Sequence, residues 1–266
     1  MTKPPTQVVC ALAIGGLDPG GGAGVLADMR GFEAAGAFGC VVVALLTVQS
    51  TRGVVSARAL PAEGVAAATR EVLAGQRVRA IKVGALGSRA NIVAVARLLR
   101  EHAEIPAVVD TPMLPTRGRT ALLDERALGA LKRELLPAAT LVTVNALEAE
   151  TLVGGRVATT RDARRAATAL VAAGARAVLV KAGHLRGAEA VDVLAVRHEL
   201  FEIGAPRLRI PAVHGAGCTL ASLIAGRLAV RPRSSIVDAV RWGKRVHHAA
   251  LSRLVDVGGP LRVLAF

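Results

Sequence analysis

The feature that most constrains this fold is the regular alternation of short apolar runs with longer amphipathic segments along the whole chain. Residues 8–15 form such a run, and their nearly unbroken apolar character is typical of a strand buried on both faces of a parallel sheet. Residues 25–35, which follow, have the apolar spacing of a helix. Repetition of this unit predicts an α/β fold with a mostly parallel central sheet and helices on both faces.

The same pattern places the other elements. We predict buried strands at residues 8–15, 40–47, 80–83, 107–110, 140–144 and 176–181, and an antiparallel pair at 191–196 and 200–203. We predict helices at 25–35, 61–74, 91–102, 124–136 and 161–173, and two closing helices from about Ala216 and Ser234. Asp124 is the expected N-cap of the fourth helix. The sequence has no linker, repeat or low-complexity segment, so we expect residues 1–266 to form a single domain.

Hydropathy and cysteine usage indicate the compartment. Hydrophobic residues make up 52% of the chain, but no run reaches the roughly 18 apolar residues that a membrane span needs. The first apolar segment leads directly into Gly15 without a cleavage pattern of small residues, so we interpret it as a strand rather than a signal peptide. The three cysteines, Cys10, Cys40 and Cys218, have no CxxC spacing. We therefore expect a cytoplasmic protein without disulfides or a zinc site.

The charge balance is strongly basic, with a formal net charge of +14. Nucleic-acid binding is one interpretation of such a balance. However, the chain has only four Phe, one Trp and no Tyr, which leaves few side chains on which bases could stack. We therefore expect no nucleic-acid partner and interpret the basic residues as a solvated surface that favours anionic substrates.

Polar side chains collect where the predicted strands end. Asp18, Gln49, Asp110, Asn145 and Lys181 all follow or terminate apolar runs. Because ligands of open parallel sheets bind at the carboxyl ends of the strands, these residues predict a site at that edge.

A glycine-rich turn at residues 214–220, His-Gly-Ala-Gly-Cys-Thr-Leu, precedes an Ala- and Leu-rich helical run. Gly215, Ala216 and Gly217 would thus offer unpaired N–H groups and the positive end of a helix dipole to an anion. Cys218 would lie in the first turn, where this field lowers the pKa of a thiol. The alternative is an ordinary glycine turn with a small buried cysteine.

Three further features allow two interpretations each. Asn145 and Glu148 have the spacing to hold a hydrated Mg²⁺ or to cap a helix. Lys181 could extend to water or reach a phosphate. His184 and His214 could be ligands or acid–base groups, or hydrogen-bonded polar groups without a role in chemistry.

The first glycine loop contains Gly22-x-Gly24-x-x-Ala27, a formal match to a dinucleotide fingerprint. The next strand ends in Thr47 and Val48 rather than in the acidic residue that would bind the ribose, which argues against a dinucleotide-binding dehydrogenase. The chain also lacks the GxxxxGK[ST] pattern of P-loop kinases. The loop either closes over a small substrate, with Asp18 at its mouth, or is simply a tight turn.

The joint order of several motifs is more specific than any one of them. The motifs are DPGGGAGV from Asp18, VQSTRGV from Val48, KVGAL from Lys82, VDTPM from Val109, NALEAE from Asn145, LVKAGH from Leu179 and HGAGCTL from His214. This order resembles the bacterial hydroxymethylpyrimidine/phosphomethylpyrimidine kinases of thiamine synthesis, within the ribokinase-like superfamily. The resemblance covers nearly the whole chain, about residues 8–260.

The resemblance implies a ribokinase-like three-layer α/β/α sandwich, usually dimeric, that uses ATP and Mg²⁺. It implies two reactions: phosphorylation of 4-amino-5-hydroxymethyl-2-methylpyrimidine and then of its monophosphate. The implied site residues are Gly16, Asp18, Ala23, Val48, Gln49 and Asp110 for the substrate, Gly215, Ala216 and Gly217 for the anion hole, Lys181 and Cys218 for catalysis, and Asn145 and Glu148 for Mg²⁺ through water.

Several positions depart from the family pattern. The usual Ala-Lys-Ser-Gly loop is replaced by residues 115–118, Pro-Thr-Arg-Gly, and the usual Ser of the first loop by Gly20. These changes lie in substrate loops, and the usual Thr of the Gly-Thr-Gly-Cys turn is Ala216 here. None of the changes removes the anion hole or the Asn145–Glu148 pair. Two rival functions remain: a kinase of a pyridoxal-type vitamer, and a pyrimidine-binding regulator that has lost turnover.

Overall fold

The computed structural model describes residues 8–110, 112–113, 122–123, 127–181, 183 and 189–266. Its strands are β1 (Cys10–Leu17), β2 (Phe38–Ser50), β3 (Gly53–Ala59), β4 (Val78–Val83), β5 (Ala107–Asp110), β6 (Leu141–Asn145), β7 (Ala177–Lys181), β8 (Asp192–Val196), β9 (Glu199–Ile203), β10 (Val213–His214) and β11 (Arg262–Val263). The helices are α1 (Gly24–Ala35), α2 (Ala62–Gly75), α3 (Arg89–Glu101), α4 (Ala127–Ala130), α5 (Ala146–Val153), α6 (Thr160–Ala172), α7 (Ala216–Val230) and α8 (Ile236–Leu251).

The central sheet has nine strands in the order β3-β2-β1-β4-β5-β6-β7-β8-β9. The six adjacent strands β2, β1, β4, β5, β6 and β7 are parallel to one another. The other three strands, β3, β8 and β9, pair antiparallel with their neighbours. The register sets Asp110 opposite Thr143, and Asn145 opposite Lys181. The polar strand ends predicted from the sequence therefore meet at one edge of the sheet.

Alternation along the strands divides the core between the two faces of the sheet. Ile14 packs with residues of α2, α3, α5 and α6, whereas its neighbour Ala13 packs with residues of α1, α7 and α8. The predicted three-layer α/β/α sandwich with a mostly parallel sheet is confirmed.

Close packing of α1 against α7 brings together the two loops that precede these helices. Small residues make this possible: a Cβ at Gly226 of α7 would lie only 2.7 Å from the Cβ of Ala35. A Cβ at Gly31 of α1 would likewise collide with Ser222 of α7. Because both helices start at the same edge of the sheet, this contact fixes their N-termini side by side.

The short strands β10 and β11 were not predicted, and two larger elements also differ from the sequence prediction. The sequence did not predict β3, an edge strand whose Val54 is buried but whose Val55 is 75% exposed, so its pattern is not that of a buried strand. The helix predicted at 124–136 is described from Ala127 as α4, which continues as a π-type turn over Leu131–Leu135 and a 3₁₀ turn over Leu136–Ala138. The predicted cap Asp124 lies outside the described residues.

The C-terminal segment returns to the functional edge of the molecule. β11 pairs in parallel with β10, and Val263 lies opposite His214. This small sheet supports the turn that leads into α7. Within the described residues, none of the helices is long and apolar enough to cross a membrane.

Candidate active site

A cavity of about 690 Å³ opens at the carboxyl ends of the parallel strands. It lies where the chain order reverses, with β2 on one side of β1 and β4 on the other, which is the usual ligand position in open α/β sheets. Gly16, Ala23 and Gln49 line one end, and Asn145, Glu148 and Lys181 line the other. Gly215, Ala216, Gly217 and Cys218 lie between the two ends.

The turn before α7 has the geometry expected of an anion hole. Gly215 is the N-cap of α7 and has a φ of 77°, a left-handed conformation that glycine adopts without strain. A side chain there would also collide with the carbonyl oxygen of Gly22. Gly217 faces the charged end of the cavity, since a Cβ at this position would lie 3.1 Å from Lys181 Nζ. An anion in this turn would therefore meet backbone N–H groups and an ammonium together.

Lys181 forms an ion pair at the end of β7. Its Nζ lies 2.7 Å from Asp110 Oδ1, which also accepts a hydrogen bond of 2.6 Å from the Thr143 hydroxyl. Burial acts to raise the pKa of Asp110, but the charges of Lys181 and Lys82 outweigh it and leave that pKa below its ordinary value. Lys181 therefore neither extends freely to water nor stands alone, and it presents a fixed positive charge beside the anion hole.

Asn145 and Glu148 form a reciprocal cap at the start of α5. The Asn145 Oδ1 accepts from the Glu148 N–H at 2.9 Å, and the Glu148 Oε2 accepts from the Asn145 N–H at 2.8 Å. Burial, together with the charge of Asp110, raises the pKa of Glu148 to about 7. The capping interpretation is thus confirmed, and both side chains also face the cavity.

In the described part of the chain, no group of three or more His, Cys, Asp or Glu side chains could hold a metal ion directly.

The predicted lowering of the Cys218 pKa is wrong. Burial raises the pKa of this thiol to about 11, and Asp110 and Asp28 add to the rise. Lys82 and the Gly24 N–H act in the opposite direction but do not outweigh them. The sequence argument considered the helix dipole and omitted the desolvation of a side chain that lies inside the fold.

The side chain of Asp18, which is predicted to bind the substrate at the mouth of the first loop, does not face the cavity. It is fully buried, and its carboxylate accepts from the N–H groups of Gly20 and Ala23, both at 2.8 Å, and is 2.8 Å from His214 Nε2. Burial acts to raise its pKa, but these hydrogen bonds and the His214 ring keep that pKa below the ordinary value. Asp18 holds the glycine loop against the turn before α7 and is not among the residues that line the cavity.

The side chain of Val48, another residue predicted to bind the substrate, does not face the cavity either. Its side chain is 59% exposed and is absent from the cavity wall, whereas Thr47 and Gln49 on either side line the cavity. Gln49 Nε2 donates to Thr47 Oγ1 at 2.6 Å, which orients the amide.

His184 and residues 115–118, where the chain departs from the family pattern, lie outside the described residues.

Sequence reasoning gave no role to several buried charged groups in the cavity wall. Lys82 Nζ lies 2.8 Å from Asp28 Oδ2, and Lys244 Nζ lies 2.7 Å from Asp192 Oδ2. Burial and the charge of Lys244 lower the pKa of His247 to about 3, so this ring is neutral. The one signal in the sequence for these pairs was Lys82, which lies inside the apolar run that forms β4. Because a lysine is rarely buried without a partner, it indicated a buried carboxylate nearby.

A parallel sheet whose ligand edge carries a glycine turn at a helix start and a paired lysine is typical of a phosphotransferase that acts on a small molecule, and the solved structures reported below share its ribokinase-like fold. The family model described as Phosphomethylpyrimidine kinase matches residues 18–262 of this chain. The chain belongs to that family, and it is a kinase.

Relatives and solved structures agree with this assignment. The hydroxymethylpyrimidine/phosphomethylpyrimidine kinase of Rhizobium meliloti (strain 1021) is 41% identical over 91% of this chain and 90% of its own length. A crystal structure of phosphomethylpyrimidine kinase from Clostridium difficile 630 is similar with a TM-score of 0.78 and 30% identity, covering 91% of this chain and 99% of that one. An ADP complex of Bacillus subtilis pyridoxal kinase is similar with a TM-score of 0.88 and 26% identity, covering 97% of both chains.

Proposed function

We propose that this chain uses ATP to phosphorylate 4-amino-5-hydroxymethyl-2-methylpyrimidine and then its monophosphate, yielding the diphosphate used in thiamine synthesis. The observation that carries the proposal is one cavity with two unlike ends. Gln49 supplies an oriented amide at one end, and the Gly215–Gly217 turn with Lys181 supplies an anion site at the other. The relatives named above act on these pyrimidines, and an adenine nucleotide occupies the related pyridoxal kinase.

The phosphate end is preorganised for phosphoryl transfer. Such reactions depend mainly on positioning and on stabilisation of the charge on the transferred group. Gly215, Ala216 and Gly217 begin α7 in the cavity wall, where the N–H groups of a helix start lack intrahelical partners, and Lys181 is held by Asp110. Both therefore stabilise developing charge without a rearrangement during the reaction.

Asn145 and Glu148 fit a Mg²⁺ that keeps its water molecules. Their oxygens are of the type that this ion prefers, and the cap leaves each group facing the cavity. When bound, the ion would neutralise charge on the transferred phosphate. At pH values below about 7 the Glu148 carboxyl is largely protonated. We propose that it becomes a carboxylate that can hold the ion either when the pH rises above this value or when Mg²⁺ binds and displaces the proton.

Cys218 faces the acceptor and has different importance in the two steps. A hydroxymethyl group must lose a proton as it is phosphorylated. The acceptor of the second step is a phosphate with a second pKa of about 6, which is already an anion and needs no base. We propose a proton-accepting role for Cys218 in the first step alone; full retention of that step by Cys218→Ala would exclude it.

We also propose that residues 1–266 act as one kinase domain, that the protein works in the cytoplasm where ATP is supplied, and that it forms a homodimer. Light scattering of the purified protein measures the last point directly. A mass equal to one chain at working concentrations would exclude the dimer.

A pyridoxal-type vitamer is the second candidate acceptor, because the B. subtilis pyridoxal kinase shares the fold along 97% of the chain. The deciding experiment incubates the protein with Mg²⁺, ATP and each of hydroxymethylpyrimidine, its monophosphate and pyridoxal, and identifies products by mass. Pyrimidine diphosphate supports the main proposal. Turnover of pyridoxal alone would replace it, and pyrimidine binding without any turnover would favour a regulator.

A further inference from the structure

One arginine in the cavity wall has no role in the function proposed so far. Arg207 lies in the segment between β9 and β10 and lines the cavity. Its guanidinium donates to two backbone carbonyls, from Nη1 to Gly183 at 2.9 Å and from Nη2 to Glu189 at 3.1 Å. Both carbonyls belong to the connection between β7 and β8, so one planar group joins two points of that connection.

The first of these carbonyls lies close to Lys181 along the chain. Gly183 is two residues beyond Lys181, the lysine beside the anion hole. Lys181 pairs with Asn145 of β6 in the sheet, but the described ladder between β7 and β8 ends one position earlier, at Val180 opposite Val193. The backbone of Lys181 is thus held by a neighbouring strand on one side only.

The backbone that carries Arg207 is itself held in place. Ala190 and Ala205 exchange two backbone hydrogen bonds, of 2.9 and 3.3 Å, which join the start of the β8 region to the segment before Arg207. His248 of α8 donates from Nε2 to the carbonyl of Pro206 at 2.9 Å. The arginine therefore connects the chain just beyond Lys181 to a part of the cavity wall that is fixed to α8.

The need of the two carbonyls for a hydrogen-bond donor does not account for these contacts. Gly183 and Glu189 are exposed, so water would serve their carbonyls nearly as well. Water would not fix the distance from either carbonyl to the cavity wall. The guanidinium does so, because its N–H donors point in set directions from one rigid plane.

We propose that Arg207 is a positioning residue for the nucleotide: it fixes the chain just beyond Lys181 and so keeps the Lys181 ammonium beside the anion hole. This inference rests on the proposed use of ATP. Asp110 holds the tip of the Lys181 side chain, and Arg207 restrains the backbone behind it. Loss of the second restraint lets the ammonium shift, and a displacement of about 1 Å in a positioning group can cost about a hundredfold in rate.

Three variants separate the planar fork of Arg207 from its charge. Arg207→Gln removes both, whereas Arg207→Lys keeps the charge but has no planar fork. Arg209→Gln is the matched control, because Arg209 lies two positions further along, is exposed and does not line the cavity. Its side chain also makes no hydrogen bond or ion pair within the part of the chain that the structure describes.

The first test measures nucleotide affinity without an acceptor. Calorimetric titration with Mg²⁺ and adenylyl imidodiphosphate, a non-hydrolysable ATP analogue, gives the Kd of each protein. We expect Arg207→Gln and Arg207→Lys to weaken binding about fivefold or more, and Arg209→Gln to stay within about twofold of the parent, because only the first two lose preorganisation of the phosphate end. Unchanged affinity in Arg207→Gln would overturn the proposal. Full affinity in Arg207→Lys would also overturn it, since the nucleotide would then need the charge alone.

The second test follows the chain beyond Lys181 directly. Amide hydrogen exchange of a peptide covering residues 177–183, measured without ligand, should be about threefold faster or more in Arg207→Gln than in the parent, because a local restraint is lost. Arg209→Gln should leave this rate unchanged. A peptide from β1, residues 10–17, reports general loosening of the fold. Equal acceleration of both peptides, or no acceleration of residues 177–183, would exclude the restraint that we propose.

The third test compares the two substrates. In Arg207→Gln, kcat/KM for ATP should fall about tenfold or more while KM for hydroxymethylpyrimidine stays within about twofold, because the Gln49 end of the cavity keeps its contacts. A rise of both KM values by the same factor would indicate a general distortion of the cavity and would overturn the proposal. If the protein phosphorylates neither pyrimidine, the proposed function fails, while the affinity for the analogue and the exchange rates still decide the role of Arg207.

Discussion

At the scale of single residues, two buried carboxylates of this chain have opposite relations to their surroundings. Asp18 is surrounded by donors, namely two backbone N–H groups and the His214 ring, which stabilise its charge. Glu148 lies close to Asp110, and burial penalises its charge. The two carboxylates therefore contribute to the free energy of unfolding in opposite ways as pH changes.

We expect Asp18→Asn to lower the free energy of unfolding by about 2 kcal/mol at neutral pH, because hydrogen bonds to a buried charge are lost or weakened. The folded pKa lies below the unfolded value of 3.8, so this contribution is present above 3.8 and is lost as pH falls through the folded pKa. Urea unfolding of both proteins at neutral and acidic pH measures the difference. Asp162→Asn is the matched control, since Asp162 also accepts from two backbone N–H groups but is only partly buried and does not line the cavity.

We expect Glu148→Gln to have the opposite sign. Because the folded pKa of Glu148 is about 7 and the ordinary value is 4.5, folding loses stability as pH rises through this interval. Glutamine keeps an oxygen for the Asn145 N–H and carries no charge, so the variant should be more stable than the parent above pH 7 by about 2 kcal/mol. The gain should vanish below pH 4.5; a variant that is less stable at every pH would contradict the assignment.

At the scale of elements, α1 and α7 decide the geometry of the site. Their close packing sets two glycine loops in contact, and the turn before α7 tolerates no side chain at Gly215. Gly36 offers a useful comparison, because it ends α1 with a similar φ of 85° but has open space around it.

We expect Gly36→Ala to cost about 1 kcal/mol of unfolding free energy through backbone strain alone and to leave kcat unchanged. Gly215→Ala adds a collision with the Gly22 carbonyl and should both cost more and lower kcat by at least about a hundredfold, since the donors of the anion hole move. Thermal unfolding and steady-state kinetics of the two variants test this. Equal effects on both quantities would show that the contact with Gly22 does not matter.

Much of this element-scale picture could be predicted from the sequence, for identifiable reasons. Buried parallel strands such as residues 107–110 have a simple apolar pattern, and glycines next to a helical run mark Gly215 and Gly217 as a helix start. Edge strands such as β3 have no such pattern, because one side faces solvent. The burial of a side chain by distant parts of the chain cannot be read from the local sequence, which is why the Cys218 pKa was wrongly predicted and the burial of Asp18 was not foreseen.

At the scale of the whole molecule, the site joins the two ends of the chain. Asp18 follows the first strand, His214 lies 196 positions later, and β11 near the C-terminus pairs with β10 at His214. Val263 of β11 also approaches Gly22, where an added Cβ would lie 3.0 Å from its side chain.

Deletion of residues 262–266 should therefore lower both activity and stability. The nine-stranded sheet keeps its strand pairs, but the turn before α7 loses its neighbouring strand and the buried side chains of Val263 and Leu264 are removed. We expect kcat to fall about tenfold or more and Tm to decrease by several degrees. The two substitutions Val213→Ala and Val263→Ala, which keep the backbone ladder, are the control and should retain most activity; a truncated protein with full kcat would show that β11 is dispensable.

The bond between Asp18 and His214 also matters during synthesis on the ribosome. Asp18 emerges early in translation and His214 emerges 196 residues later, so this contact has a large sequence separation. Nascent or truncated chains can form the early strands but lack the Asp18–His214 contact and the pairing of β10 with β11 beside the cavity. The kinase thus completes its cavity only late in its synthesis.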